Sequence, residues 1–200
     1  DPLSVKGVSL LGGLMNMQYE LTTPCTAQDL APLQAGDTVL LSGVVYTARD
    51  QAHKRMLEAL DRGEPLPFDL EGSAIYYVGP TPERPGCAIG AAGPTTSGRM
   101  DAMSPRLLDL GNKVMIGKGK RDAAVKEAVV RNGAVYLAAL GGAGALMAKS
   151  VKTLEVIAWP DLGCEAVRRL TVEQMPLTVI LDAHGGDLYL SGPEAYRASR

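Results

Sequence analysis

Aromatic side chains are scarce in this chain: one Phe, one Trp and seven Tyr among 200 residues. Any core must therefore be filled by Val, Leu, Ile, Ala and Met, and at 46% hydrophobic residues the supply suits one domain. A surplus of one charge is missing too. The formal net charge is −2, which removes the general electrostatic reason to expect nucleic acid or a membrane surface as partner. No apolar run is long enough to span a bilayer. Cysteine is confined to Cys25, Cys87 and Cys164, without a Cys-x-x-Cys pair, and histidine to His53 and His184. That pattern offers none of the usual metal-ligand spacings. An unpaired set of cysteines without a secretory signal points to reduced thiols and a cytoplasmic location.

Glycine and proline, at 23 and 13 residues, punctuate the chain as they do in loop-rich α/β enzymes. Residues 1–16 are weakly patterned and are expected to be an N-terminal extension or vector remnant, followed by one domain over 17–192 and a tail over 193–200. Gln18–Thr23 alternates as a short strand, Thr26 to Asp29 resembles a helix cap, and Thr38–Tyr46 is a β-branched apolar strand. Arg49–Arg62 has helical spacing, with Gly63 just beyond it. Further strands are expected at Ala74–Val78, Val114–Ile116 and Ala134–Leu140. Helices are expected from Thr95 to Leu110 with Pro105 interrupting, over Asp122–Arg131, and from Gly141-Gly142 to Ser150. After Ser150 the expectation is strand only: Leu154–Trp159, Ala166–Val172, Leu177–Leu181 and Asp187–Leu190 as an antiparallel meander. The sum is an α/β domain with a central parallel or mixed sheet, a second antiparallel sheet layer, and helices on one face.

Three segments put cationic or hydroxylic side chains directly after strands, where open α/β sheets bind ligands. They are Tyr46 to Asp50, Gly93 to Arg99, and Gly117-Lys118-Gly119-Lys120-Arg121. Arginine presents a planar fork that matches a carboxylate, and lysine a mobile point charge. Converging on one pocket, Arg49, Arg99, Lys118 and the hydroxyls would suit a small dicarboxylate. A phosphate would suit them nearly as well. His53, one turn after Arg49, fits a structural hydrogen bond, and His184 a solvent-exposed turn.

The runs Leu41–Arg55, Gly93–Asp101, Met115–Arg121 and Gly141-Gly142 stand in a specific order. Together they resemble the class I iron–sulfur fumarase and tartrate dehydratase family, in its β subunit or C-terminal domain, from Gln18 to about Tyr189. The wording Met-Ile-Gly-Lys-Gly-Lys-Arg is closer to the two-subunit form. The resemblance implies a swivelling β/β/α domain and a hydro-lyase that reversibly dehydrates a small dicarboxylate, malate to fumarate first and tartrate to oxaloacetate second. It implies a 4Fe-4S cluster held by a partner α subunit and none bound by this chain, with homo-dimer contacts inside a heteromer. It also implies that Arg49, Arg99 and Lys118 bind substrate carboxylates, that Thr95 is the catalytic base and that Thr96 supports it. Ala48 stands where a glycine is usual in the family, which would tighten the Arg49 turn. The competing reading is a non-catalytic anion- or nucleotide-binding regulatory module, which the lack of a Gly-x-x-x-x-Gly-Lys-Ser/Thr loop disfavours.

Overall fold

The computed structural model describes residues 2–11, 14–82, 85–139 and 144–198. Eight strands form one mixed sheet: β1 (Leu3–Leu11), β2 (Leu14–Thr22), β3 (Thr38–Thr47), β4 (Ala74–Tyr76), β5 (Val114–Gly117), β6 (Val135–Ala138), β7 (Val151–Ala158) and β8 (Val167–Leu181). The helices are α1 (Ala27–Leu30), α2 (Asp50–Asp61), α3 (Ser104–Asp109), α4 (Ala123–Asn132), α5 (Gly144–Ser150) and α6 (Leu188–Ala198), with 3-10 turns at Ser97–Met100 and Pro160–Glu165. Among the described residues no helix is long and apolar enough to cross a membrane.

Strands β3, β4, β5 and β6 pair in parallel in chain order. β8 then runs antiparallel along β6 on one edge and along β3 on the other. Hydrogen bonding thus closes a circuit through β3, β4, β5, β6 and β8. The antiparallel strands expected as a separate layer are continuous with the parallel ones, and β7 extends them at one edge.

Side chains alternate across this circuit, as a strand's period of two requires. Tyr76, Val114, Ile116 and Leu137 join one buried cluster, with Leu41 and Val45 of β3 and Leu170 and Val172 of β8. Their neighbours Ile75, Met115, Tyr136 and Ala138 belong to a second cluster, packed against α2, α3 and α4 through Ala52, Met56, Leu107, Val125 and Val129. With both faces covered, the central parallel strands are apolar throughout rather than alternating. α1 and α5 pack on the first cluster through Leu30 and Met147, so the helices are not all on one face.

Local chemistry explains the helix ends. The Asp122 carboxylate accepts from Val125 N at 2.9 Å, and Gly133 closes α4 in the left-handed region at φ 59°. Thr26 and Asp29 form the reciprocal cap of α1.

Four expectations need correcting. Asp187–Leu190 is not a strand: Asp187 Oδ1 accepts from Tyr189 N at 3.0 Å, starting α6, while Leu188 and Tyr189 pack on the second cluster. Helical structure therefore does not cease at Ser150. Ala166–Val172 and Leu177–Leu181 are parts of one strand, β8, whose apparent break is a bulge at Gln174, with φ 52° and its N–H donated to Ser42 Oγ. The helix expected from Thr95 to Leu110 is a 3-10 turn followed by α3, with Pro105 in the first turn, where no N–H is needed. Residues 1–16, expected without an element, contain β1, which pairs antiparallel with β2. Gly141-Gly142, expected to open the helix that runs to Ser150, lies outside the described residues.

Candidate functional site

The ends of β3, β4 and β5 lie side by side, because Thr47 pairs with Tyr76 and Tyr76 with Ile116. The three segments singled out in the sequence all emerge on this rim. Arg49 is the N-cap of α2, one residue beyond Ala48, whose N–H is held by Tyr76 O at 3.1 Å. Its guanidinium lies along Gly79: a Cβ there would sit 3.2 Å from Arg49 Nη1 and 3.3 Å from Cδ, a contact tight enough to displace it.

Thr95 is anchored by its N–H to Tyr77 O at 2.8 Å, and Thr96 bridges Lys118 in parallel pairing. Ser97 locks the two loops together. Its N–H donates to Lys118 O at 2.8 Å, while its Oγ accepts from Lys118 N and from Tyr136 OH, each at 2.9 Å. Gly117 makes that approach feasible, since a Cβ would stand 1.9 Å from Ser97 Oγ.

The side chains of interest point outward or are only half covered. Thr96, Arg99 and Lys118 are exposed, and Thr95 is half-buried. The Lys118 ammonium and the Thr95 hydroxyl make no hydrogen bond or ion pair among the described residues. Thr95 therefore does not act as a helix cap here; the N-cap of the 3-10 turn is Thr96, without a side-chain bond. Arg49 and Arg99 are brought together by Asp50. One carboxylate oxygen lies 2.7 Å from Arg99 Nε, and the other 3.9 Å from Arg49 Nε. Glu165 is also 3.9 Å from Arg49 Nε, so neither carboxylate bonds it.

Buried polar atoms are ordinarily hydrogen-bonded. The buried side-chain atoms without a partner, among the described residues, are Arg49 Nε, Asp50 Oδ1 and His53 Nε2. All three sit on the first turn of α2. His53 bonds Arg49 O through Nδ1 at 2.9 Å, within its own turn. Burial depresses its pKa to about 4, so the ring is neutral at pH 7. His184 is exposed, as expected, in the turn before α6, and its Nε2 meets Ala31 O at 2.6 Å.

Arg121 differs from the neighbouring lysines. It is enclosed, donating from Nε to Asp101 Oδ1 at 2.5 Å and from Nη2 to Ser104 Oγ at 3.0 Å, and lying over the Tyr77 and Tyr136 rings. Asp50, Ser97 and Arg121 lie within the three segments singled out in the sequence but were given no role of their own there.

Two cavities of about 610 and 630 Å³ open elsewhere, one against Pro80, Thr81, Cys164 and Arg168, the other between Gly86–Ala91 and α5. Neither is lined by Arg49, Thr95, Arg99 or Lys118. Among the described residues no three His, Cys, Asp or Glu group together for a metal. Cys25 is buried, and its thiol is pushed up to about 12 by burial, which keeps it protonated.

These features give a rim of cationic and hydroxylic side chains on a mixed α/β domain. The family described as Fumarase C-terminus matches residues 12–192, and the chain belongs to it. The L(+)-tartrate dehydratase subunit beta of Escherichia coli is 33% identical over 92% of this chain and 92% of its own length. Fumarate hydratase 2 of Leishmania major is 40% identical over 81% of the chain, and the aerobic class I fumarate hydratase of Salmonella typhimurium 37% over 81%. The chain spans less than a third of the length of these two fumarate hydratases, 29% and 28%.

Proposed function

We propose that this chain is the β-type portion of a hydro-lyase that reversibly removes water from a small dicarboxylate, active only when assembled with an α partner. The observation that carries the reading is the rim itself. The Asp50 carboxylate there pairs with Arg99 and faces Arg49, and among the described residues the Lys118 ammonium and the Thr95 hydroxyl of the same rim have no partner. Arg49, Arg99 and Lys118 bind the substrate carboxylates. Fixed cations of this kind also stabilise the charge that builds on a carboxylate when the neighbouring carbon loses its proton. Thr95 Oγ1 takes that proton, with Thr96 in the same loop. A threonine is a weak base unless its surroundings favour the alkoxide. No base touches Thr95 Oγ1 among the described residues, so the nearby cations or the partner supply the activation.

The site is open surface, with Arg99 and Lys118 exposed, which supports completion by a second polypeptide. In this reading the iron–sulfur cluster of such an enzyme belongs to that α partner; among the described residues of this chain no three His, Cys, Asp or Glu group together. Malate to fumarate is the favoured reaction and tartrate to oxaloacetate the second. The working unit is a swivelling β/β/α domain, expected over 17–192, in a cytoplasmic heteromer with homo-dimer contacts; the sheet continues into 1–16 through β1, and α6 runs on to Ala198.

Co-expression with the α partner tests this directly. The complex purified anaerobically should dehydrate malate or tartrate, and the isolated chain should be inactive and colourless after incubation with iron and sulfide. A brown, oxygen-sensitive chromophore on the isolated chain, lost on replacing Cys25, Cys87 and Cys164, would overturn the two-polypeptide reading.

A further inference from the structure

Asp50 is the first residue of α2, so the helix fixes its backbone while its carboxylate lies between Arg49 and Arg99. The two contacts differ. Oδ2 is 2.7 Å from Arg99 Nε, a close ion pair. Oδ1 faces Arg49 Nε at 3.9 Å, and both atoms are buried without a hydrogen-bond partner. They stand just beyond bonding range, and a shift of about 1 Å would join them. Asp50 would then bridge both arginines.

The exposures show which partner is anchored. The Arg99 side chain is 56% exposed and that of Asp50 22%. An exposed arginine samples many rotamers and must be ordered when it binds a ligand. Pairing through Nε occupies one edge of the guanidinium and leaves the two terminal nitrogens free to face a second carboxylate.

We infer that Asp50 is the positioning residue of the clamp: its negative charge holds Arg99 beside Arg49, so that one small dicarboxylate meets two guanidinium groups already in place. The inference rests on the reading of Arg49 and Arg99 as carboxylate ligands. Without Asp50 the two like charges repel, Arg99 swings into solvent, and substrate must order it on arrival. The loss then falls on binding more than on the chemical step.

The test uses the assembled complex and whichever of malate and tartrate it dehydrates. Asp50→Asn keeps the shape of the helix's first turn and removes the charge; Asp50→Ala, Arg99→Ala and the double variant complete a cycle. Asp50→Asn should raise KM about tenfold with kcat within about threefold of wild type, at an unchanged melting temperature. Asp50→Ala should cost far less in the Arg99→Ala background than alone, because its effect passes through Arg99. Additive losses, or an unchanged KM in both Asp50 variants, would overturn the role of Asp50 while leaving the clamp standing. Wild-type kinetics in Arg99→Ala would overturn the clamp and this inference with it.

Discussion

Arg121 and Asp101 form a buried ion pair beneath the loops that carry Thr95 and Lys118, with Nε 2.5 Å from Oδ1 and the arginine side chain fully enclosed. Asp101 Oδ2 also accepts from Asp122 N at 2.7 Å, so one carboxylate links the Ser97–Met100 turn to the start of α4. Removing one member strands the other's charge. Arg121→Ala should therefore lower the unfolding free energy by about 3–5 kcal/mol. The double variant with Asp101→Ala should lose less than the two single losses added, as urea unfolding of the four proteins would show.

Arg49→Ala and Arg99→Ala in the assembled complex should each reduce transition-state stabilisation by about 2–4 kcal/mol, read as kcat/KM. Thermal unfolding should barely change. Arg99 is mostly solvated, and Arg49 Nε has no bond to lose. Near-normal turnover in either variant would place the carboxylate clamp elsewhere.

Thr95 can be separated from its surroundings cleanly, because its hydroxyl has no partner among the described residues while its backbone N–H is tied to Tyr77 O. Thr95→Val should leave stability within about 0.5 kcal/mol of wild type. If the hydroxyl is the base, the same variant should nearly abolish exchange of the substrate C–H proton with solvent while substrate still binds. Thr95→Ser should retain part of the activity. Wild-type exchange in the Val variant would assign the base to the α partner.

His53 gives the fold a pH dependence of definite sign. Its pKa in the folded protein is about 4, depressed by burial, against roughly 6.5 for a free histidine. The unfolded chain therefore holds the proton more tightly between those values. The stabilising contribution is complete above about pH 6.5 and declines as pH falls towards 4, by roughly 3 kcal/mol in total. His53→Gln should flatten that part of the stability profile, measured by urea unfolding at stepped pH. An unchanged slope would mean the ring takes up its proton in the folded state.

Much of the frame was legible because its signals are local. β3 announces itself by a β-branched run, and α4 by Asp122 at one end and Gly133 at the other. The Arg49, Thr95 and Lys118 junctions could be placed because each follows an apolar strand or a glycine turn. What escaped depends on partners remote in the chain. Asp-Leu-Tyr-Leu at 187–190 alternates like a strand, yet a cap at Asp187 and packing against α4's side of the sheet make it helical. Arg121 belongs to a run of cations that looks solvated until Asp101 and two tyrosine rings enclose it. Asp50 reads as an ordinary first-turn acid until Arg99 is found beside it.

The pairing of β3 with β8, which joins Thr38 to Thr178, sets the order in which the molecule can mature. A ribosome releases β3 well before β8. The strand that delivers Arg49 thus waits with one edge bare, and the rim gains its rigid base only when β8 arrives. Such distant contacts close slowly. Truncating the chain before Val167 should therefore abolish the site although every proposed ligand for substrate would still be present.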